Sequence, residues 1–130
     1  MEILTKTLRT LADPTRLRIV ALLARSGELC VCDIERILGF TQTKVSRHLA
    51  YLRRAGLVRV RRRQLWKHYS LAPLRNATVS QLFDVALGLI RESPEIVRDR
   101  RILEQKLRTG SCAACRPDMP SEAHPPRPSL

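Results

Sequence analysis

Apolar residues in the first half of the chain recur at helical spacing, and after Gly56 that spacing changes. Ile3, Leu4, Thr7, Leu8 and Leu11 form one stripe, which predicts a first helix ending near Asp13-Pro14. Asp13 is a good N-cap and Pro14 a good first-turn residue for a second helix. That helix carries Leu17, Val20, Ala21, Leu23 and Ala24, and Ser26-Gly27 ends it. A short third helix runs from about Cys32 to Leu38, with Ile34, Ile37 and Leu38 inward and Gly39 as its stop. The tight connection Gly39-Phe40 leads to Thr41, the N-cap of a fourth helix. In that helix Val45, Leu49 and Leu52 face a core, and Gly56 marks its end. A short helix, a turn containing glycine and a longer helix make a helix-turn-helix.

Beyond Gly56 the alternation becomes that of a strand. Val58 and Val60 fall on one face and Arg59 and Arg61 on the other, Arg62-Arg63-Gln64 reads as a turn, and Leu65 to Leu71 returns as a second strand. This hairpin is a wing beside the helix-turn-helix. Pro73 opens a long helix to about Glu92 with Leu82, Val85, Ala86, Leu89 and Ile90 as its stripe, and Ser93 starts another from about Pro94 to Arg108. The first helix and the Pro73–Glu92 helix are expected to pack two protomers together as a homodimer. From Gly110 onward, Pro117, Pro120, Pro125, Pro126 and Pro128 with few apolar side chains predict a flexible tail. The expected fold is mainly α with a small β-hairpin. Residues 1–92 would form a winged helix-turn-helix DNA-binding and dimerisation domain, 93–109 a C-terminal helix, and 110–130 a Cys-containing, Pro-rich tail.

Charge says what the fourth helix faces. Its outward residues Gln42, Thr43, Lys44, Ser46, Arg47, Arg53 and Arg54 include no acid. The chain has a formal net charge of +12, and no Asp or Glu occurs between Glu35 and Asp84, a gap that holds eleven Lys and Arg. Such a block predicts a polyanionic partner, nucleic acid ahead of membrane, and the helix-turn-helix makes that double-stranded DNA. Gln42, Thr43, Ser46 and Arg47 can reach base edges and phosphates in a major groove, while Arg61, Arg62 and Arg63 of the wing follow the backbone. No apolar run reaches the length of about 18 residues needed to span a bilayer. The early Glu2 and the short apolar start do not make a secretory signal, so a cytoplasmic protein with no membrane partner is expected. Nothing suggests an enzyme or a small organic substrate: no phosphate loop and no βαβ pattern surrounds the cysteines.

Several segments resemble the ArsR/SmtB family of bacterial metalloregulatory repressors. They are Leu11-Ala12-Asp13-Pro14-Thr15-Arg16-Leu17-Arg18-Ile19, Val45-Ser46-Arg47-His48-Leu49 with Gly56-Leu57-Val58, and the wing from Arg61 through Trp66 to His68-Tyr69. Gly27-Glu28-Leu29-Cys30-Val31-Cys32-Asp33-Ile34 is similar to the inducer box of the arsenic and cadmium/lead branches. The resemblance implies a homodimer that leaves a twofold operator when an inducer ion binds, with As(III) or Sb(III) as that ion. The sequence departs from the family pattern at Glu35, where the arsenic branch often has a third cysteine. It has no cysteine before Cys30, as the cadmium/lead branch would, and Gln64-Leu65 replaces the usual wing glycine. The helix after the wing has Asp84 but no histidine, so the zinc site of the zinc-sensing branch is not expected.

Cys30 and Cys32 open the third helix, where backbone N–H groups and the helix dipole favour thiolates. Thiolates are soft ligands. Two residues apart on an ideal helix, side chains diverge by about 200°, so gripping one ion is expected to deform the first turn. Trivalent arsenic, by the resemblance, takes three thiolates; Cys112 or Cys115 of the tail is a candidate third. Alternatives stay open: a Cd(II)- or Pb(II)-responsive or thiol-redox-responsive repressor, or a constitutive DNA binder with a four-sulfur structural Zn(II) site built from all four cysteines. His48 reads as DNA-facing and His68 as part of the wing packing.

Overall fold

The chain begins with α1 (Glu2–Leu11) and α2 (Pro14–Ser26). A short strand β1 (Glu28–Cys30) follows, then α3 (Val31–Leu38) and α4 (Gln42–Arg54), and the hairpin β2 (Val58–Arg63) and β3 (Trp66–Leu71). The last elements are α5 (Ala77–Ile90) and α6 (Pro94–Thr109). The structure is a computed structural model that describes residues 1–63 and 65–110, so Gln64, Cys112 and Cys115 lie outside the described residues.

Local chemistry sets the boundaries. The Asp13 side chain accepts the Arg16 N–H at 3.0 Å and caps α2, whose first residue is Pro14. Gly39 closes α3 at φ 72°, in the left-handed region, where its N–H donates to Glu35 O at 2.8 Å. That turn lets α4 cross α3 almost at once. Ile19, Val20 and Leu23 of α2, Ile34 and Ile37 of α3, and Val45, Leu49 and Leu52 of α4 bury against one another as the core. Burying each such side chain stabilises the fold by about 1.5–3 kcal/mol.

Three boundaries differ from the sequence expectation. β1 was not anticipated; three residues are too few to show alternation, yet they pair antiparallel with β3, giving the sheet order β1-β3-β2. Arg62 and Arg63 belong to β2 rather than to the turn, paired with Lys67 and Trp66. An edge strand accepts such exposed cations readily, because its outer face is solvated. α5 starts at Ala77 instead of Pro73, because the Asn76 side chain accepts the N–H groups of Thr78 at 2.9 Å and Val79 at 3.1 Å.

α6 packs on α2 and α3, burying Leu103 and Asp99 in the same core. Arg18 on α2 grips Asp99 through two hydrogen bonds of 2.8 and 2.9 Å, and Arg25 reaches Glu104 at 2.6 Å. These pairings run α6 in the same direction as α2. The outer faces of α1 and α5 leave Ile3, Leu4, Leu8, Val85 and Leu89 exposed, Leu89 at 81%.

Candidate functional site

Two sets of residues stand out, one on α4 and the wing and one at the start of α3. On α4 the Thr41 hydroxyl accepts the Lys44 N–H at 3.3 Å, and Val45, Leu49 and Leu52 anchor the helix inward. Thr43 and Arg47 are exposed, and Gln42, Lys44 and Ser46 are half-buried, so these five predicted contact residues share the first turns of one helix. The Lys44 ammonium lies 3.7 Å from the centroid of the Phe40 ring in the preceding turn.

The back of α4 is held by a polar node that sequence reasoning missed. The Arg16 guanidinium stacks 4.0 Å from the centroid of the Tyr51 ring, donates to Thr10 O at 2.6 Å and lies 3.5 Å from His48 Nδ1. Asp13 Oδ1 is 3.9 Å from the same His48 nitrogen. His48, expected from sequence to face DNA, packs against the start of α2. Burial, the largest effect, lowers its pKa, so the imidazole is favoured neutral. The signal that could have revealed this node is spacing: Tyr51 lies three residues after His48 and so on the same helical face.

Arg61, Arg62 and Arg63 are exposed on β2. Arg61 makes a two-pronged pair with Glu28 of β1, at 2.7 Å and 3.2 Å. The guanidinium holds the Glu28 carboxyl below the usual carboxylate range. Arg62 and Arg63 sit nearer the tip of the wing.

At the start of α3, Cys30 is the N-cap, with extended φ −76° and ψ 157°, and its Sγ accepts the Asp33 N–H at 3.4 Å. The sulfurs of Cys30 and Cys32 are joined as a disulfide, with Cα atoms 5.4 Å apart. The expectation that they point apart is corrected: Cys30 is not helical, so its side chain swings to the side of Cys32 without deforming the helix. Both residues are buried, at 2% and 1% exposure. The buried Asp33 carboxylate completes a cluster in which the three donor atoms lie within 4.8 Å of one another. Glu35, at the position where the arsenic branch often has a third cysteine, does not belong to that cluster. Trp66 of β3 packs against both cysteines. Cys30 pairs in register with His68, which is buried in the wing packing as the sequence reading held, and whose pKa burial lowers. In the dithiol form, two buried sulfurs suit a soft, thiophilic ion, and Asp33 adds one hard oxygen.

The winged helix-turn-helix agrees with what comparison with known proteins shows. A family model described as bacterial regulatory protein, arsR family, matches residues 13–60. The arsenical resistance operon repressor of Escherichia coli (strain K12) is 49% identical over 89 residues, 68% of this chain and 76% of that protein. The chain belongs to the arsR family. The arsenic resistance transcriptional regulator ArsR1 of Pseudomonas putida is 41% identical over 88% of this chain and 90% of its own length. The crystal structure of the AntR antimony-specific transcriptional repressor superposes with a TM-score of 0.58 at 32% identity, covering 69% of this chain and 78% of that one. Like these arsR-family relatives, the chain is a DNA-binding transcriptional repressor and not an enzyme. No helix among the described residues is long and apolar enough to cross a membrane.

Proposed function

We propose that this repressor holds the operator of a metalloid-resistance operon in the cytoplasm and leaves it when As(III) or Sb(III) is captured by Cys30 and Cys32. The observation that carries this reading is the pair of buried sulfurs at the N-terminus of α3, the helix on which α4 rests. Relatives named for arsenic and antimony support the choice of ion. Gln42, Thr43, Ser46 and Arg47 read the major groove, with Lys44, Arg62 and Arg63 on phosphates. Arg61, shared with Glu28, is the wing cation that a bound duplex has to compete for.

Coupling starts at the cap. Cys30 Sγ accepts the Asp33 N–H, and a sulfur that donates its electrons to an ion holds that hydrogen bond less well. The first turn of α3 then loosens, and the Gly39 turn that sets the angle of α4 moves with it. Where the ion takes a third donor, Cys112 or Cys115 would supply it. Because α6 runs alongside α2 in the same direction, its exit at Gly110 lies toward the end of α2, from which the chain enters β1 and Cys30. Asp33 instead suits an ion that accepts a carboxylate oxygen beside thiolates, which keeps Cd(II), Pb(II) or Zn(II) as alternative occupants. The exposed apolar faces of α1 and α5 join two protomers, matching a twofold operator.

A second reading, release by thiol oxidation, has one observation in its favour: Cys30 and Cys32 stand joined as a disulfide. Two thiols and hydrogen peroxide would give the disulfide and two waters, two electrons passing to the peroxide. An operator-binding titration of the full chain with arsenite, cadmium or peroxide separates the readings. Arsenite release that is lost in Cys30→Ser and Cys32→Ser but kept in Cys112→Ser/Cys115→Ser supports a two-sulfur site. Loss in all three variants adds a tail ligand. Release by peroxide alone moves the function to redox sensing, and binding unchanged by every agent refutes both readings.

A further inference from the structure

Trp66 lies at 5% exposure against Cys30 and Cys32, forming a cluster apart from the main apolar core. It is also the first residue of β3 and the partner of Arg63 across the hairpin. β3 is the central strand: Cys30 stands opposite His68 on one side, and Arg61 stands opposite the same His68 on the other. Glu28 ties the outer strands together, gripping Arg61 and lying 3.8 Å from His68 Nδ1. The sulfur pair is therefore connected to the wing by an unbroken backbone ladder as well as to α4 through α3.

We propose that Trp66 is a positioning residue that couples occupancy of the Cys30–Cys32 pair to the wing, so that capture of a thiophilic ion withdraws Arg62 and Arg63 from the DNA backbone. This inference rests on the reading of the two cysteines as the inducer site. Protein interiors are close-packed, so an ion entering between the two sulfurs and the indole has to displace one of them. The Cys30 backbone is held by its pairing with His68, so room for an ion comes from the indole as well as from the first turn of α3. Trp66 cannot move without carrying the hairpin position of Arg63, because the two residues are paired across the last rung before the turn. A wing so displaced loses phosphate contacts that carry affinity for every sequence alike. Release would then come from two directions, base reading through α4 and backbone grip through β3.

Trp66 is the sole tryptophan, so its emission reports on the site without a label. Sodium arsenite added to the reduced full chain is expected to change that emission, saturating at the concentration that releases operator DNA. Trp66→Leu is expected to keep arsenite binding, measured by calorimetry, while arsenite weakens its DNA binding at least tenfold less than in the wild type. Trp66→Phe, which keeps an aromatic ring on the sulfurs, should recover most of the coupling. If Trp66→Leu does not fold, Arg62→Ala/Arg63→Ala carries the test, since its side chains lie away from the sulfurs. It should show weaker DNA binding without arsenite and a smaller further loss with it. Wild-type coupling in Trp66→Leu, or wild-type emission unmoved by bound arsenite, overturns the wing route alone. Wild-type protein that binds no arsenite overturns the inducer site and this inference together.

Discussion

Helices α3 and α4 begin alike and face different chemistry. In each, the residue before the helix caps it by accepting the N–H three positions on: Cys30 Sγ from Asp33 at 3.4 Å, and Thr41 Oγ1 from Lys44 at 3.3 Å. Both helix N-termini carry the partial positive charge of aligned peptide dipoles. At α4 that end is exposed and flanked by Lys44 and Arg47, so it suits phosphate. At α3 it is buried under Trp66 and closed by the Cys30 sulfur, so in the dithiol form it suits a thiolate and whatever that thiolate holds. One capping geometry thus leaves a soft, enclosed cap at α3, which the proposed reading gives to sensing, and a hard, open cap at α4, which it gives to DNA. The two ends are eleven residues apart in the chain and share one turn, Gly39-Phe40.

The largest way to break the comparison is to make the first cap like the second. Cys30→Ser keeps an acceptor for the Asp33 N–H but removes the soft ligand. The folded state should persist in a thermal melt, while arsenite release of operator DNA disappears in a gel-shift titration. Next in size is the frame that holds both helices. Asp99→Ala strands the buried Arg18 guanidinium and should cost about 3–5 kcal/mol in urea unfolding. Gln42→Ala or Ser46→Ala should cost about 1–3 kcal/mol of discrimination between operator and mismatched DNA. Arg62→Ala, in contrast, should weaken all sequences alike and lower the salt slope by about one. Thr41→Ala removes the exposed cap and should lower stability by about 1 kcal/mol, with arsenite binding untouched.

The smallest effect expected is on pH. Burial lowers the pKa values of His48 and His68 from 6.5, so the unfolded chain takes up these protons first as the solution is acidified. Stability is intact above about pH 6.5 and falls as pH drops through that value toward the lowered ones. His48→Gln should flatten the decline in urea midpoint between about pH 7.5 and 5; a decline as steep as in the wild type would mean that His48 does not contribute.

Much of this was readable from the chain because the signals were local. Asp13-Pro14, Gly39 and Thr41 each fix a helix boundary with their own side chain or φ, and Val45, Leu49 and Leu52 mark the buried face of α4 by spacing alone. The missing pieces depend on pairing across distance. β1 exists because β3 supplies its hydrogen bonds, and nothing in Glu28-Leu29-Cys30 announces a strand by itself. Asp33 joins the cysteine cluster, and Cys30 and Cys32 converge, because Cys30 adopts strand-like angles as the last residue of β1. A helical-wheel reading places Cys30 one step too far into the helix. The Arg16, His48 and Tyr51 node spans two helices: spacing puts His48 and Tyr51 on one face of α4, but only the packing of α2 brings Arg16 to that face.

Ion capture and DNA grip, if they are two states of one coupled site, have to oppose each other equally in both directions. The decisive measurement is the arsenite affinity of the reduced protein, taken once free and once saturated with operator DNA. The operator-bound protein should bind arsenite more weakly, by the same factor, roughly tenfold or more, by which arsenite weakens DNA binding. Equal arsenite affinity in the two forms, with Cys30 and Cys32 occupied in both, would contradict the coupling.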